Sequence, residues 1–465
     1  MASFEKFGGR KAGPLELWLK EAKATLLLGL PLIGAQLAQM AINVTDTVMI
    51  GWLGADQLAA AVLANQLYYI VWLAGLGLVQ AVMPLASQAA GQGDVRGVRR
   101  AARMGMWIAL GFSTLGMGVL WQGEQILLLL GQDPNVSALA GEYLRILQWS
   151  IYPSLFVMAV RSFLTSLERA QIVLWATVIS ALFNAVLDYA FIFGKFGMPE
   201  MGIVGAGVAS VGTNALAAVI LIWYVLNEPT VKTYEVFVRF WRADWGAFFE
   251  TLRLGWPYSL ALVAETGLFS AAAFMMGWFG TLEVAAHGIV AQLAGLAFMI
   301  PIGFSNATVV RVGLALGRKD AQGIMLAGWC SILMAMGVAV VGASLFWLLP
   351  EIWIGFYLDQ TNPNAAAVLA LGVPLLVWAA AFQVFDGIQV VAAGALRGLS
   401  DTRTPMIIAF IGYWVIGIPM SYVLAFKLGF GPEGIWIGLA GGLAASAAML
   451  TWRFYRRRET GLECC

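Results

Sequence analysis

The sequence predicts an all-α polytopic membrane protein, with 12 transmembrane helices arranged as two six-helix parallel repeats. Three observations carry this expectation. The chain is 60% hydrophobic and only 11% charged over 465 residues. Its apolar stretches reach the ~20 residues that a helix needs to cross roughly 30 Å of hydrocarbon. Its first half also matches its second when the chain is slid along itself.

Twelve apolar stretches are present, at 26–50, 57–90, 104–122, 138–160, 171–193 and 203–226, then 254–278, 284–310, 324–348, 365–396, 405–427 and 434–452. Only helices and closed barrels cross lipid with every backbone group paired, and runs of this length mean helices. Basic residues fall in alternate connections. They precede the first stretch (Lys6 to Lys23) and follow the second (Arg96, Arg99, Arg100, Arg103), the fourth (Arg161, Arg169) and the sixth (Lys232 to Arg253). They recur after the eighth (Arg311, Arg318, Lys319), the tenth (Arg397, Arg403) and the twelfth (Arg453 to Arg458). The remaining connections hold only Lys195 and Lys427, among acids such as Glu124, Asp133, Glu351 and Asp359. The positive-inside rule then places both termini in the cytoplasm.

The first 23 residues are charged and amphipathic, without the apolar core and cleavage site of a signal peptide, and are expected along the cytoplasmic surface. Three cysteines, Cys330, Cys464 and Cys465, do not make a disulfide framework. A net charge of +1 names no partner, and topology accounts for the basic clusters without nucleic acid.

An offset of 226 aligns 29–94 with 255–320 without a gap. Gly29, Pro31, Met49, Trp52, Gln66 and Asp94 meet Gly255, Pro257, Met275, Trp278, Gln292 and Asp320. A weaker match at offset 232 sets Lys195 and Gly197 on Lys427 and Gly429. Six spans per half make the repeats parallel, which places a binding site between two bundles. The expected organisation is an N-terminal segment 1–23, a first lobe 24–226, a cytoplasmic linker 227–250, a second lobe 251–453 and a tail 454–465.

Four carboxylates, Asp46, Asp188, Glu265 and Asp386, stand inside these apolar runs. Each would cost about 2.5–3.5 kcal/mol at the centre of a bilayer, so each is expected to face a wet cavity rather than lipid. Asn184 and Asp188 are four apart and share a helix face. If the first and fifth spans adjoin, these two and Asp46 form one cluster, suited to a small hard cation or a proton. Glu265 and Asp386 are the second candidate pair, and no intramembrane Lys or Arg is evident as a partner for either. The carboxylates break the repeat, since Asp46 aligns with Ala272 and Glu265 with Gln39. Pro31 and Pro257 are hinge candidates, because proline removes a helix hydrogen bond. Gln36, Gln39 and Gln292 are cavity candidates, and some aromatic residues could attract organic cations through their ring faces. No HExxH, nucleotide-binding glycine loop or nucleophile–base pair is present, so neither an enzyme nor a cofactor is expected.

Taken together, TDTVMIGWLG (45–54), LFNAVLDY (182–189), Glu265, VRVGLALGR (310–318) and FDGIQVVAAGALRG (385–398) resemble the multidrug and toxic compound extrusion (MATE) transporters, in particular their bacterial NorM branch. The resemblance implies a V-shaped pair of lobes in a bacterial inner membrane. The lobes would export cationic amphipathic drugs and dyes in exchange for Na+ or H+, and the carrier would work as a monomer among membrane lipids. It also implies coupling-ion roles for Glu265 and Asp386, with Na+ the one metal to be considered there. Asp46, Asn184 and Asp188 would form the polar cluster of the first lobe. Phe298 falls where some relatives carry an aromatic hydroxyl near the cation. The alternative is a lipid-linked oligosaccharide flippase of the same superfamily, whose cavity should favour cationic residues.

Overall fold

The computed structural model describes residues 13–358 and 363–460. Lys6, Asp359, Cys464 and Cys465 lie outside the described residues. Within them every regular element is helical. The spans are α1 (Pro14–Gly51), α2 (Ala55–Gln92), α3 (Val95–Trp121), α5 (Ala170–Phe193) and α6 (Ile203–Asn227), with α4 treated below. The second half supplies α7 (Trp245–Gly277), α8 (Thr281–Gly317), α9 (Ala321–Leu348), α10 (Ala365–Gly398), α11 (Arg403–Lys427) and α12 (Gly431–Thr460). Eleven of these are long and apolar enough to cross a membrane. The fourth expected span is α4, made of two helices, Pro134–Leu147 and Ile151–Ser166, joined by a 3₁₀ turn at Gln148–Ser150.

Several helices outrun the apolar stretches. The segment expected along the surface is helical from Pro14 and continuous with the first span. The linker stretch holds one short helical turn at Pro229–Lys232 and joins α7 at Trp245, and the last helix continues to Thr460. Pro14 opens α1 at a position where its missing N–H is no loss.

The turns repeat as the sequence does. Gly54 and Gly280 both hold positive φ (129° and 155°) at the α1–α2 and α7–α8 corners, a conformation that favours glycine. Asp94 and Asp320 cap α3 and α9 by accepting from Arg96 N at 3.0 Å and Gly323 N at 2.9 Å. Glu168 and Ser400, 232 apart, have φ of 60° and 59° in the α4–α5 and α10–α11 turns.

Each half packs around its own core. Phe163, Leu144 and Ile151 are fully buried in the first lobe, and Trp436, Leu375 and Phe382 in the second. The outward surface is apolar, with Leu115, Phe274 and Leu348 each at least 73% exposed, as lipid-facing positions require. α11 departs from α-helical winding at Ile411–Gly417 and Val423–Lys427, where it widens to a π-helix against glycines of α12.

The lobes meet through α1 on α8 and α2 on α7. Small residues let the backbones touch: a Cβ on Gly77 would enter the Ser259 backbone, and one on the equivalent Gly303 would enter Ile33. Ser259 Oγ also donates to Ala74 O at 2.6 Å. The contact then continues toward the end of the molecule that carries the arginine-bearing connections, called here the basic end.

Candidate functional site

Three polar contacts close the lobes together at the basic end. Arg311 on α8 grips Glu21 on α1 with two bonds, Nε to Oε1 at 2.8 Å and Nη2 to Oε2 at 2.6 Å. Its Nη1 donates to Glu168 of the α4–α5 turn at 2.7 Å. On the other side Gln88 Nε2 donates to Gly398 O and Ser400 Oγ, both at 2.8 Å. Among the described residues no hydrogen bond or ion pair joins the lobes on the far side of Ser259.

All four carboxylates lie on that far side. Glu265 is six residues beyond Ser259 and Asp46 is 13 beyond Ile33, or about 9 and 20 Å along their helices. They form two groups, one in each lobe.

In the first lobe, α1 and α5 do adjoin. Asp46 comes within interaction range of Asn184 and Asp188. Asn184 and Asp188 are fully buried, yet neither oxygen of Asp188 nor either polar atom of the Asn184 amide has a hydrogen-bond partner. Asp46 Oδ1 is likewise unpaired. Buried polar atoms are nearly always satisfied, so a cluster of this kind is chemically suited to a bound cation or to shared protons. The oxygens present, two carboxylates and one amide, fit a hard cation such as Na+; among the described residues no group of three or more His, Cys, Asp or Glu offers a transition-metal site.

Hydroxyl-bearing aromatics stand beside this cluster. Tyr143 donates to Asn65 Oδ1 at 3.3 Å and interacts electrostatically with Asp46 and Asp188. Ser150, at the 3₁₀ break of α4, donates to Tyr68 Oη at 2.8 Å, and Trp72 Nε1 donates to Ser154 Oγ at 2.7 Å. The sequence reading did not select these residues. Tyr and Trp inside an apolar run carry no signal that separates cavity from interface positions.

In the second lobe, Glu265 on α7 and Asp386 on α10 interact with each other. Asp386 is 6% exposed. A basic group does stand nearby, contrary to expectation: Arg397, at the end of α10, acts on Glu265 electrostatically without forming an ion pair. The sequence places it in a helix-end cluster, whereas in the fold its guanidinium stacks over the Tyr258 ring at 3.7 Å. Together with Gln80, Asn306 and Thr402 it lines a small enclosed space between the lobes. α11 frames the pair. Gln389 Nε2 donates to Tyr413 Oη at 2.6 Å, and Trp414 Nε1 donates to Ala264 O at 3.2 Å, next to Glu265. Both aromatics belong to the π-helical segment, a feature common at functional sites.

The remaining candidates are more scattered. Gln36 and Gln39 are half-buried on α1 and Phe298 half-buried on α8, while Gln292 is exposed. None of the four lines the enclosed space beside Arg397. Pro31 and Pro257 sit inside unbroken helices, two residues after Gly29 and Gly255; a Cβ on Gly255 would enter the Leu78 backbone, whereas one on Gly29 would meet Phe304 at an ordinary 3.4 Å.

Comparison with known proteins identifies the family and the fold. The family model MatE matches residues 31–190 and 257–423. A "Probable multidrug resistance protein NorM" of Rhizobium meliloti (strain 1021) is 50% identical over 439 residues, covering 94% of each chain. One of the same name from Agrobacterium fabrum (strain C58 / ATCC 33970) is 47% identical, again over 94% of each. Among solved structures, the eukaryotic MATE transporter AtDTX14 superposes with a TM-score of 0.85 at 18% identity, over 96% of this chain and 99% of that one. A MOP superfamily transporter from Pyrococcus furiosus gives 0.87 at 18% identity, over 97% and 99%.

Proposed function

Because the chain belongs to the MatE family of multidrug and toxic compound extrusion transporters, we propose that it exports cationic amphipathic compounds in exchange for Na+ or H+ by alternating access. The observation that carries this reading is the position of both carboxylate groups on the side of the inter-lobe contact where, among the described residues, no hydrogen bond or ion pair joins the lobes. An acidic cleft attracts cationic organic molecules and small cations alike. Two ligands that occupy the same carboxylates compete, and each biases the lobes according to which arrangement it binds better.

The arrangement is read as outward-facing. The arginine-bearing end is cytoplasmic by the positive-inside rule, and it is the end at which Arg311, Glu21, Glu168, Gln88 and Ser400 hold the lobes together. This orientation suits a bacterial inner membrane with both termini in the cytoplasm. A single copy suffices, since the cleft lies between the chain's own lobes. Glu265 and Asp386 are assigned to the coupling ion, and Asp46, Asn184 and Asp188 to a second station for cation or proton. Tyr143 borders that second station, with Tyr68 next to it, and their ring faces are suited to aromatic cations.

Ethidium transport in proteoliposomes tests the proposal, with Na+ and H+ gradients imposed separately on wild type and Asp386→Asn. Transport driven by one gradient and reduced at least tenfold in the variant is the expected result. If neither gradient moves ethidium through folded protein, the antiport reading fails and an anionic lipid-linked substrate becomes the next to try.

A further inference from the structure

The connection between the lobes, residues 228–244, is an ordered strap bound to the first lobe alone. Its inner face is thoroughly satisfied. Arg99 Nε donates to Tyr234 O at 2.6 Å, Arg103 donates to the carbonyls of Glu235, Val236 and Val238, and Trp107 Nε1 donates to Phe240 O at 3.0 Å. Val236 is 2% exposed, and Tyr234, Phe237 and Phe240 pack on the core of the first lobe.

Its charges are sorted by sign. All three acids turn toward arginines of the helices: Glu228 to Arg169, Glu235 to Arg99 and Asp244 to Arg100. The three bases, Lys232, Arg239 and Arg242, are exposed and form no ion pair among the described residues. Large apolar side chains share that outer face, with Trp241 at 74% and Val238 at 52% exposure, and Trp245 follows at 60%. An ordinary solvated linker has no reason to order itself so that Trp and Val point outward. A segment at the edge of a bilayer does, because indole rings settle at headgroup level and arginine reaches phosphate.

We infer that the outer face of the strap binds the anionic phospholipid headgroups of the leaflet at the basic end, through Lys232, Arg239 and Arg242, with Trp241 inserted between them. The occupant follows from the setting: the chain spans a bilayer, the strap lies at the ends of the spans, and among the described residues the unpaired charges it presents are positive. Each base near an anionic surface contributes about fivefold to binding, so three acting together contribute on the order of 100-fold.

The test uses the full chain in neutral detergent, mixed with equal amounts of phosphatidylglycerol and phosphatidylcholine, with retained lipid counted by native mass spectrometry. Wild type is expected to enrich phosphatidylglycerol, and Lys232→Gln/Arg239→Gln/Arg242→Gln to lose that enrichment at least tenfold while keeping its melting temperature. Equal enrichment in the two proteins, or none in wild type, overturns the proposal. In reconstituted protein, a fluorophore on Trp241→Cys in a cysteine-free background should be quenched by lipids spin-labelled at the headgroup. An unquenched probe would show that the strap stands clear of the bilayer, and the proposal would fall.

Discussion

Gly91 and Gly317 occupy the same position in the two repeats and touch each other where the lobes meet. A Cβ on Gly91 would stand 3.0 Å from the Cα of Gly317, and the reverse distance is 2.9 Å. Each Cβ would also run into a carbonyl of the opposite helix, Leu314 or Gln88. The quasi-twofold relation between the lobes therefore passes through a contact that has no side chains.

Replacing Gly91 with Ala should open this contact. Overpacking of a tight site costs about 1–3 kcal/mol, and here the cost falls only on the arrangement with the lobes together at this end. The population should shift toward the alternative by roughly 5- to 150-fold. Spin labels placed across the two lobes at the basic end would report it as a longer distance distribution. A distribution matching wild type would remove this contact from the switching mechanism.

The two acids held by Arg311 should differ sharply. Glu21 is 11% exposed at its side chain and Glu168 is 46% exposed. Losing one partner of a buried pair costs about 3–5 kcal/mol. A half-exposed pair contributes only about 0–1 kcal/mol. Alkylation of a cysteine placed at Val309, which is buried where the lobes meet, should therefore accelerate strongly in Glu21→Gln and little in Glu168→Gln. The exchange Glu21→Arg/Arg311→Glu should restore much of the protection.

Tyr413→Phe should destabilise the second lobe by about 1–3 kcal/mol, because it strands the Gln389 amide in a buried site. Adding Gln389→Leu should recover part of that loss, since the stranded donor is then removed. Melting temperatures of the two variants in one detergent decide the matter. Equal values would mean that the bond contributes nothing.

Acid should release the strap. The hydrogen bond from Arg100 to Asp244, followed by the one from Ala247 N, holds the Asp244 carboxyl below its ordinary range. A lowered folded-state value means that the stabilisation is complete above the unfolded value of about 3.9 and disappears as pH falls through the folded value. Hydrogen exchange of residues 234–241, corrected for its intrinsic pH dependence, should rise in that window. Asp244→Asn should show exchange that is elevated already at neutral pH and no such transition.

The spans were legible because lipid imposes one rule on every residue of a crossing helix. The repeat was legible because Gly54, Gly77, Asp94 and their partners serve the same turn or backbone contact in both halves. The convergence of Asp46 with Asn184 and Asp188 hung on whether α1 and α5 adjoin, which spacing leaves open and the fold answers. Arg397 was misjudged because position along the chain does not reveal that a long side chain at the end of α10 lies over Tyr258. The π-helical turns that bring in Tyr413 and Trp414 left no pattern to read either. They arise from how α11 settles on the glycines of α12, a tertiary effect with no local period. Nor could spacing distinguish Gln292, which is exposed, from Gln389, which is buried.

The two carboxylate groups differ in depth, and an applied voltage should tell them apart. Asp46 and Asp188 each lie five residues from the end of their helix, about 7.5 Å in. Glu265 lies 12 residues from the end of α7, about 18 Å in. A charge carried across the whole membrane potential gains about 2.3 kcal/mol per 100 mV. A cation arriving from that side covers only a small fraction of the drop at the first pair and more than half of it at the second. On the proposed reading, cation occupancy at Glu265 and Asp386 would follow the cell's electrical state as well as concentration. The pair in the first lobe would follow the electrical state much less.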